Sequence, residues 1–369
     1  MSARPLVLAI VLALGACGTV GGAPFVRAMS AGDKAYTHGR YREAAELYEQ
    51  AAATAERPKD RDEALYTAAR CWERIGEDQK ALAHYQKLTD ATPPGERSFR
   101  AAYRAANLLT SQGKEKEAQA LLRKILEKAP DQAIARRALR LVIEQIEATE
   151  GKAAAEAFER KLYPSVEKSG LGEAICNDLA RRKGDAGDHA TAAKEYVACA
   201  DKYPYPFGAL WDDALFHASL EHEAAGDPKA AVADLEKMLA VHEASYGNGS
   251  YDRPRMPAAA LRVGELQRDK LNDKEAARKA FGRVFAEFPA SVQCARAIFF
   301  AAQLDKEASR SGDACSLGKR LLEKYPHTKW ARRADEVCPA LAADVEKLRA
   351  EREKRRKKGL PDPAPPTED

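Results

Sequence analysis

The 369-residue chain lacks the convergent side-chain sets on which catalytic and metal sites are built. Its 7 histidines are scattered. His217 and His222 stand five residues apart, so they do not stack on one helix face as a metal-binding pair would, and the surrounding HASLEHE is not the HExxH zinc motif. Gly312 to Arg320, GDACSLGKR, has the wrong glycine spacing for a phosphate-binding loop and no Ser or Thr after its lysine. Ser165 to Lys168 and Ser316 to Lys319 each match SxxK, without the companion motifs that acyl-transferring serine enzymes require. The expectation is a protein that is not an enzyme, with no cofactor, no metal and no small-molecule substrate.

An excess of charge of one sign is also missing. The 60 basic residues nearly balance the 56 acidic ones, the net charge is +4, and the two signs alternate along most of the chain, so no nucleic-acid partner is expected. Long apolar runs are absent except for Leu6 to Leu14, which is too short to span a bilayer comfortably. With 45% hydrophobic and 31% charged residues, and with alanine, glutamate, lysine and arginine prominent, the composition suits a soluble helical protein and not a disordered one.

What is present is a repeat. In Ala31 to Ala51, AGDKAYTHGRYREAAELYEQA, small and apolar residues fall at helical spacing before Gly39 and again after it, and Gly39 breaks the pattern where one helix stops and the next begins. Ala31, Gly32 and Ala44 let two helices approach closely, and Tyr48 fills the space beyond them. Gly76, Gly113, Gly151, Gly187 and Gly226 follow Gly39 at a nearly constant step. Gly76 carries Ala81, Tyr85 and Pro93; Gly113 carries Ala118, Leu122 and Pro130; Gly187 carries Ala192, Tyr196 and Pro204. Asn272 stands where a glycine is expected, yet Ala277, Phe281 and Pro289 keep the frame. The Gly151 unit departs, with Glu156 where an alanine is wanted.

Gly39, Tyr41, Ala44, Tyr48 and Ala51 in this register resemble the tetratricopeptide repeat, a helix–turn–helix unit of roughly 34 residues. The resemblance implies an all-α, right-handed superhelical solenoid of about eight repeats over residues 25–343, the fourth and last degenerate, because a helix pair buries its apolar face only by stacking on neighbours. A last helix after Trp330, with Ala331, Ala334, Val337, Leu341 and Val345 at helical spacing, is expected to cap the stack.

The two ends read differently. Residues 1–16 have a positive Arg4 and a short apolar core ending Leu14-Gly15-Ala16-Cys17, which resembles the bacterial lipobox. That resemblance implies a cleaved signal peptide and a mature chain that begins at lipidated Cys17, held by acyl chains such as palmitate, with residues 17–24 as a short flexible tether. Gly18 rather than aspartate after the cysteine favours the outer membrane by the retention rule of such lipoproteins, with the chain facing the periplasm. An ordinary secretory signal with a chance cysteine, or an uncleaved anchor, is the plainer alternative. Residues 344–369 read as a basic helix end, EREKRRKK at 351–358, followed by a disordered proline-rich tail. The basic run fits either an anionic surface, lipid or cell-wall polymer, or simply a helix C-terminus whose dipole favours cations.

The segments APDQAIARRAL, FPASVQCARAIFFAA and YPHTKWARRADEV, taken with the lipobox, are similar to bacterial periplasmic tetratricopeptide lipoproteins. That group includes the helical lipoprotein of the outer-membrane β-barrel assembly machine, a division-coordinating protein that binds a Tol component, and lipoproteins that help pilus secretins assemble. The resemblance implies a scaffold for protein partners in the cell envelope. The alternative is an envelope-binding module that holds polymer or anionic lipid through the basic tail.

In the repeat family, first-helix side chains line the concave face. Carried onto this chain, those positions are Tyr66 and Arg70, Tyr103 and Asn107, Asn177 and Arg181, and Phe216; neither the Tyr66 nor the Tyr103 ring is expected to be core, and the alternative for any one of the set is a partly buried packing residue. Ala69, Ala81, Tyr85, Ala106 and Leu122 belong to the buried faces. The lysine–asparagine clamp with which some cytosolic members grip a carboxylate terminus is not reproduced. Tyr246 to Met256 interrupts the spacing, and Tyr246, Tyr251, Arg253 and Arg255 are candidates for a projecting binding loop or belong to a tolerated insertion. Six further cysteines have no metal-like spacing. Antiparallel helix pairs bring Cys176 towards Cys199 and Cys315 towards Cys338, so two disulfides are expected; six buried thiols are the alternative.

Overall fold

The structure, a computed structural model, describes residues 22–241 and 255–360. The expected signal peptide, Cys17, the loop residues Tyr246, Tyr251 and Arg253, and the end of the tail lie outside the described residues. The chain divides into two compact units, at Leu171/Gly172, and each is all-α among the described residues.

The first unit holds four helix pairs: α1 (Ala23–Thr37) with α2 (Tyr41–Thr54), α3 (Pro58–Arg74) with α4 (Asp78–Thr89), α5 (Ser98–Ser111) with α6 (Glu115–Lys128), and α7 (Ala133–Glu150) with α8 (Lys152–Val166). The second holds α9, which begins at the junction (Gly170–Asp185), with α10 (His189–Lys202), then α11 (Trp211–Ala224) with α12 (Pro228–Leu239), α13 (Met256–Asp269) with α14 (Lys274–Glu287), and α15 (Cys294–Glu307) with α16 (Ser311–Lys324). The helix α1 begins at Ala23 and has Pro24 in its first turn, inside the stretch expected to be a tether. Proline has its φ already set for that position, so the chain becomes helical sooner than its glycine content suggests.

One local device makes most of the pairs. After the first helix the chain turns through a left-handed residue, Gly39 at φ +74° being typical, and the next amide donates back to close the turn, as Arg40 N does to the Ala35 carbonyl at 2.9 Å. The same bond recurs from Glu77 to Trp72, Lys114 to Leu109, Asp188 to Lys183, Asp227 to His222 and Arg310 to Asp305. Two turns are left-handed without glycine: Ser309 at φ +61°, which closes in the same way, and Asn272 at φ +55°, where Asp273 N donates one residue further back, to the Gln267 carbonyl at 2.8 Å. Three second helices then start under an aspartate cap, with Asp188, Asp227 and Asp273 accepting from the amides of Thr191, Ala230 and Ala276 at 3.2, 3.0 and 2.9 Å.

The fourth pair has a shorter turn. Gly151 N itself donates to the Ile146 carbonyl at 3.1 Å, and α8 starts at the next residue. The helical frame therefore moves by one position: Ala155, not Glu156, is the small buried residue. By the same shift a fully buried carboxyl group, Glu159, occupies the place that Tyr48, Tyr85, Leu122, Tyr196, Leu235 and Phe281 fill in other pairs.

Those large residues are the core. Tyr48 and Tyr85 are buried rings whose hydroxyls donate to Asp33 at 2.7 Å and Glu73 at 2.6 Å, so each bulky side chain also satisfies its polar tip inside its own pair. A Cβ on Gly32 would meet the Tyr48 ring at 2.7 Å, which is why glycine stands there. Ala69, Ala81, Ala106 and Leu122 are buried as expected.

The capping segment differs from the single helix read from its spacing. It is a 3-10 turn, Ala331–Arg333, a one-turn helix α17 (Ala334–Val337), a second 3-10 turn, Pro339–Leu341, and then α18 (Ala342–Lys357). Pro339 forces the residue before it out of helical geometry, and Cys338 is extended at φ −141°, ψ 97°. Ala331, Ala334, Val337, Leu341 and Val345 are all buried nonetheless. Gly318 admits this segment, because a Cβ there would press on Leu341 at 2.9 Å. Cys176 is bonded to Cys199, and Cys315 to Cys338, each pair 23 residues apart in sequence; Cys71 and Cys294 are free and buried.

Candidate functional site

The first unit contains a groove of about 660 Å³. Its wall is α5, which buries Ala101, Ala102, Ala105 and Ala106 and so turns Arg100, Tyr103, Arg104 and Asn107 to the other side at i, i+3, i+4 and i+7. Tyr66 of α3 lies on one flank, and Gln132, Ala133, Ile134 and Arg137 at the start of α7 form the other. Arg104 is fixed from below: its Nη1 donates to Glu73 at 3.1 Å, and Glu73 also accepts the Tyr85 hydroxyl. Burial, followed by that hydrogen bond to a carboxylate, pushes the Tyr85 phenol far above its ordinary range, so the network stays un-ionised at the tyrosine. For Arg104 burial is the largest influence and opposes the charge, but Glu73, Tyr85 and Tyr66 together outweigh it and raise the guanidinium's pKa.

Tyr66, Tyr103 and Asn107 are thus brought to one groove. Arg70 is exposed on α3 and does not line it. Tyr66 was expected to be free of the core and is not: it is 9% exposed, its ring 6.0 Å from Tyr85 and covered by the Arg97 guanidinium at 5.3 Å. Arg97 is itself held by Glu63. Tyr103 is half-buried and Asn107 exposed.

The second unit treats its expected groove residues differently. Asn177 donates to the Glu173 carbonyl of its own helix at 2.9 Å, and Arg181 is held by Asp178 at 2.8 Å and by Asp185. Phe216 is half-buried under the guanidinium of Arg255 at 5.0 Å, and Arg255 pairs with Asp213. Arg255, read as a loop residue, is therefore drawn down onto α11. Beside it His217 stacks on Tyr196, 5.5 Å between centroids, and burial lowers its pKa below the ordinary histidine value, with Arg255 adding to the effect.

The basic run lies on the last turns of α18, where Glu353 pairs with Arg356 at 3.2 Å and Lys357 at 3.9 Å. Cations at a helix C-terminus complement its dipole, which is the plainer of the two readings. No described helix is long and apolar enough to cross a membrane, and no group of three metal-ligating side chains occurs among the described residues.

Sequence reasoning missed Arg100, Arg104, Gln132, Ile134 and Arg137. Arg100 and Arg104 were within reach, since they flank Tyr103 on its own helix face. Arg137 was not, because its arrival depends on how the next pair packs.

Residues 29–96 match one tetratricopeptide repeat family, and residues 100–131 and 258–291 match a second. Among solved structures, PilF of Pseudomonas aeruginosa is similar at 21% identity over 63% of this chain and 94% of that one, with a TM-score of 0.37. A tetratricopeptide repeat protein of Parabacteroides merdae is similar at 16% identity over 76% and 99%, with a TM-score of 0.34. PilW, a type IV pilus biogenesis factor, is similar at 14% identity over 64% and 97%, with a TM-score of 0.38. No protein of curated function matches the chain. Repeats of this kind serve as protein-interaction scaffolds that present extended binding faces. With its stacked helix pairs, their left-handed turns and its matched repeats, this chain is a tetratricopeptide-repeat protein.

Proposed function

We propose that the chain is a lipid-anchored, non-enzymatic scaffold of the periplasm, attached to the outer membrane, that holds a segment of an envelope protein and helps its complex assemble. The observation that carries the reading is the first-unit groove, where Tyr103, Arg104 and Asn107 project from one helix face into a space large enough for several residues of a partner. Tyrosine and arginine combine apolar area with directed hydrogen bonds, the chemistry of interface anchors. The anchor rests on Leu14 to Cys17, and the two disulfides support an oxidising compartment.

Two measurements test this. Cys17→Ser should release the chain from the membrane fraction or leave the signal uncut; unchanged localisation and mass would end the lipoprotein reading. Affinity capture from native envelopes with Tyr103→Ala plus Asn107→Ala should lose a partner that the unaltered chain retains. Full capture by the folded double variant would place binding elsewhere.

A further inference from the structure

We infer that the first-unit groove selects an acidic, extended peptide segment, read through the side-chain carboxylates of that segment. The inference rests on the groove being the binding face, as proposed above, and it adds the chemistry of the occupant.

The argument starts from a local departure in charge. Acidic and basic residues nearly balance over the whole chain, yet the groove is lined by three arginines, Arg100, Arg104 and Arg137, and by no carboxylate. These three are not equivalent. Arg104 is half-buried and anchored by Glu73 at 3.1 Å, so part of its charge is already answered. Arg100 and Arg137 are exposed, and among the described residues neither has a carboxylate within ion-pair distance. Some exposed arginines elsewhere in the same unit are paired, as Arg42 with Glu77 at 2.6 Å and Arg160 with Glu156 at 2.7 Å, while others, such as Arg70 and Arg136, are not; what sets Arg100 and Arg137 apart is that they line one groove with Arg104. Two guanidiniums without an ion pair therefore line one cavity, from α5 and α7, with Arg100 sensing the more distant Glu96 carboxylate.

A second feature adds to the field. The helix α7 begins at Ala133 on the rim, with no acidic side chain in its first turn, so the positive end of its dipole adds to the field there; the Asp131 carboxylate, just before the N-cap, accepts from Gly170 N at 3.3 Å. Guanidinium forks bind carboxylates in a bidentate geometry that fixes direction as well as charge. The amides of Asn107 and Gln132 can donate to and accept from a peptide backbone, and Tyr103 and Ile134 offer apolar contact. Lipid headgroups and acidic polymers share the negative charge, but a peptide also supplies carboxylates, backbone amides and apolar side chains at the short, regular spacing of the groove's arginines, amides and Tyr103, so a peptide fits the lining better.

The test uses the purified full chain and two fluorescent peptides with amidated C-termini, one alternating glutamate and tyrosine, the other with glutamine at each glutamate. Fluorescence anisotropy at low salt should show the acidic peptide binding about tenfold or more tighter than its amide twin. Arg100→Gln plus Arg137→Gln should remove that preference and leave the circular dichroism unchanged. Equal binding of the two peptides, or a preference that survives the double variant, overturns the inference. If both peptides bind equally and Tyr103→Ala weakens both, the groove reading survives alone; if Tyr103→Ala changes neither, that reading falls too. Flotation with phosphatidylglycerol vesicles that needs the same arginines, and that the acidic peptide does not compete away, would make lipid the occupant and likewise overturn it.

Discussion

Tyr66 and Tyr103 hold the same place in successive helix pairs, ten residues before Gly76 and Gly113, yet Tyr66 is buried between Tyr85 and Arg97 while Tyr103 stands half-buried at the groove. Equivalent positions therefore play unequal parts. Tyr66→Ala removes a packed ring and should cost about 3 kcal/mol of stability in urea denaturation. Tyr103→Ala should cost less than about 1 kcal/mol of stability and weaken partner capture by about 2 kcal/mol. Equal losses of stability at both sites would show that the two rings are equally core.

Ser309 turns the chain at φ +61° without the freedom of glycine, and it is exposed. A left-handed residue with a Cβ carries a strain of roughly 1–2 kcal/mol, so Ser309→Gly should stabilise the second unit by about 1 kcal/mol. Gly39→Ala should destabilise the first unit by a similar amount. Chemical denaturation of the two variants checks both signs.

The disulfides close loops between residues 23 apart in sequence, and each contributes about 3 kcal/mol in the chain-entropy model. Peptide mapping without reduction should recover Cys176 with Cys199 and Cys315 with Cys338. Burial pushes the Cys71 thiol up to about 11 and raises that of Cys294 as well, so neither should react with iodoacetamide in the native protein near neutral pH. Both should react once the unreduced chain is unfolded. Labelling of all six cysteines under those conditions would refute the pairing.

His217 gives the second unit a pH dependence. Burial and then Arg255 lower its pKa in the folded state, against the smaller opposing pull of Asp213 and Glu221; Tyr196 and Phe216 are its aromatic neighbours. The unfolded chain binds a proton at His217 more readily than the folded one, so this contribution is fully present above the ordinary histidine pKa. It is lost as pH falls from there through the lowered folded value. Denaturation midpoints should drop between neutral pH and mild acid, and His217→Gln should flatten that part of the decline. An unchanged slope would mean that His217 is protonated as easily in the folded chain as outside it.

Most of the fold was legible because its determinants are local and repeated. A turn glycine, a small residue and a large one recur in register, and each is bound to a geometric need that any pair must meet. What escaped were single-residue exceptions. Ser309 carries no signal of a left-handed turn, and the shorter turn at Gly151, which replaces Glu156 with Ala155 at the small position, is invisible to a frame of fixed length. Pro339 was visible and should have broken the last helix on paper, since apolar spacing survives a break that helical hydrogen bonding does not. The groove was half legible. Tyr103 and Asn107 follow from the repeat, whereas the burial of Tyr66 under Arg97 and the approach of Arg137 depend on contacts between pairs. In the second unit, Asn177 and Arg181 sit at the expected positions but spend their hydrogen bonds on their own helix.

The central claim, that the first-unit groove is where a partner is held, is tested most directly by photocrosslinking in native envelopes. A photoreactive residue is placed at position 103 or 107 on the groove face, and at position 87, an exposed site on the second helix of the preceding pair, as control. The account predicts one discrete protein adduct from 103 and 107, absent from 87, and suppressed by the Arg100→Gln plus Arg137→Gln change. Adducts from position 87 alone, or none from the groove positions of a folded and correctly localised chain, would contradict it.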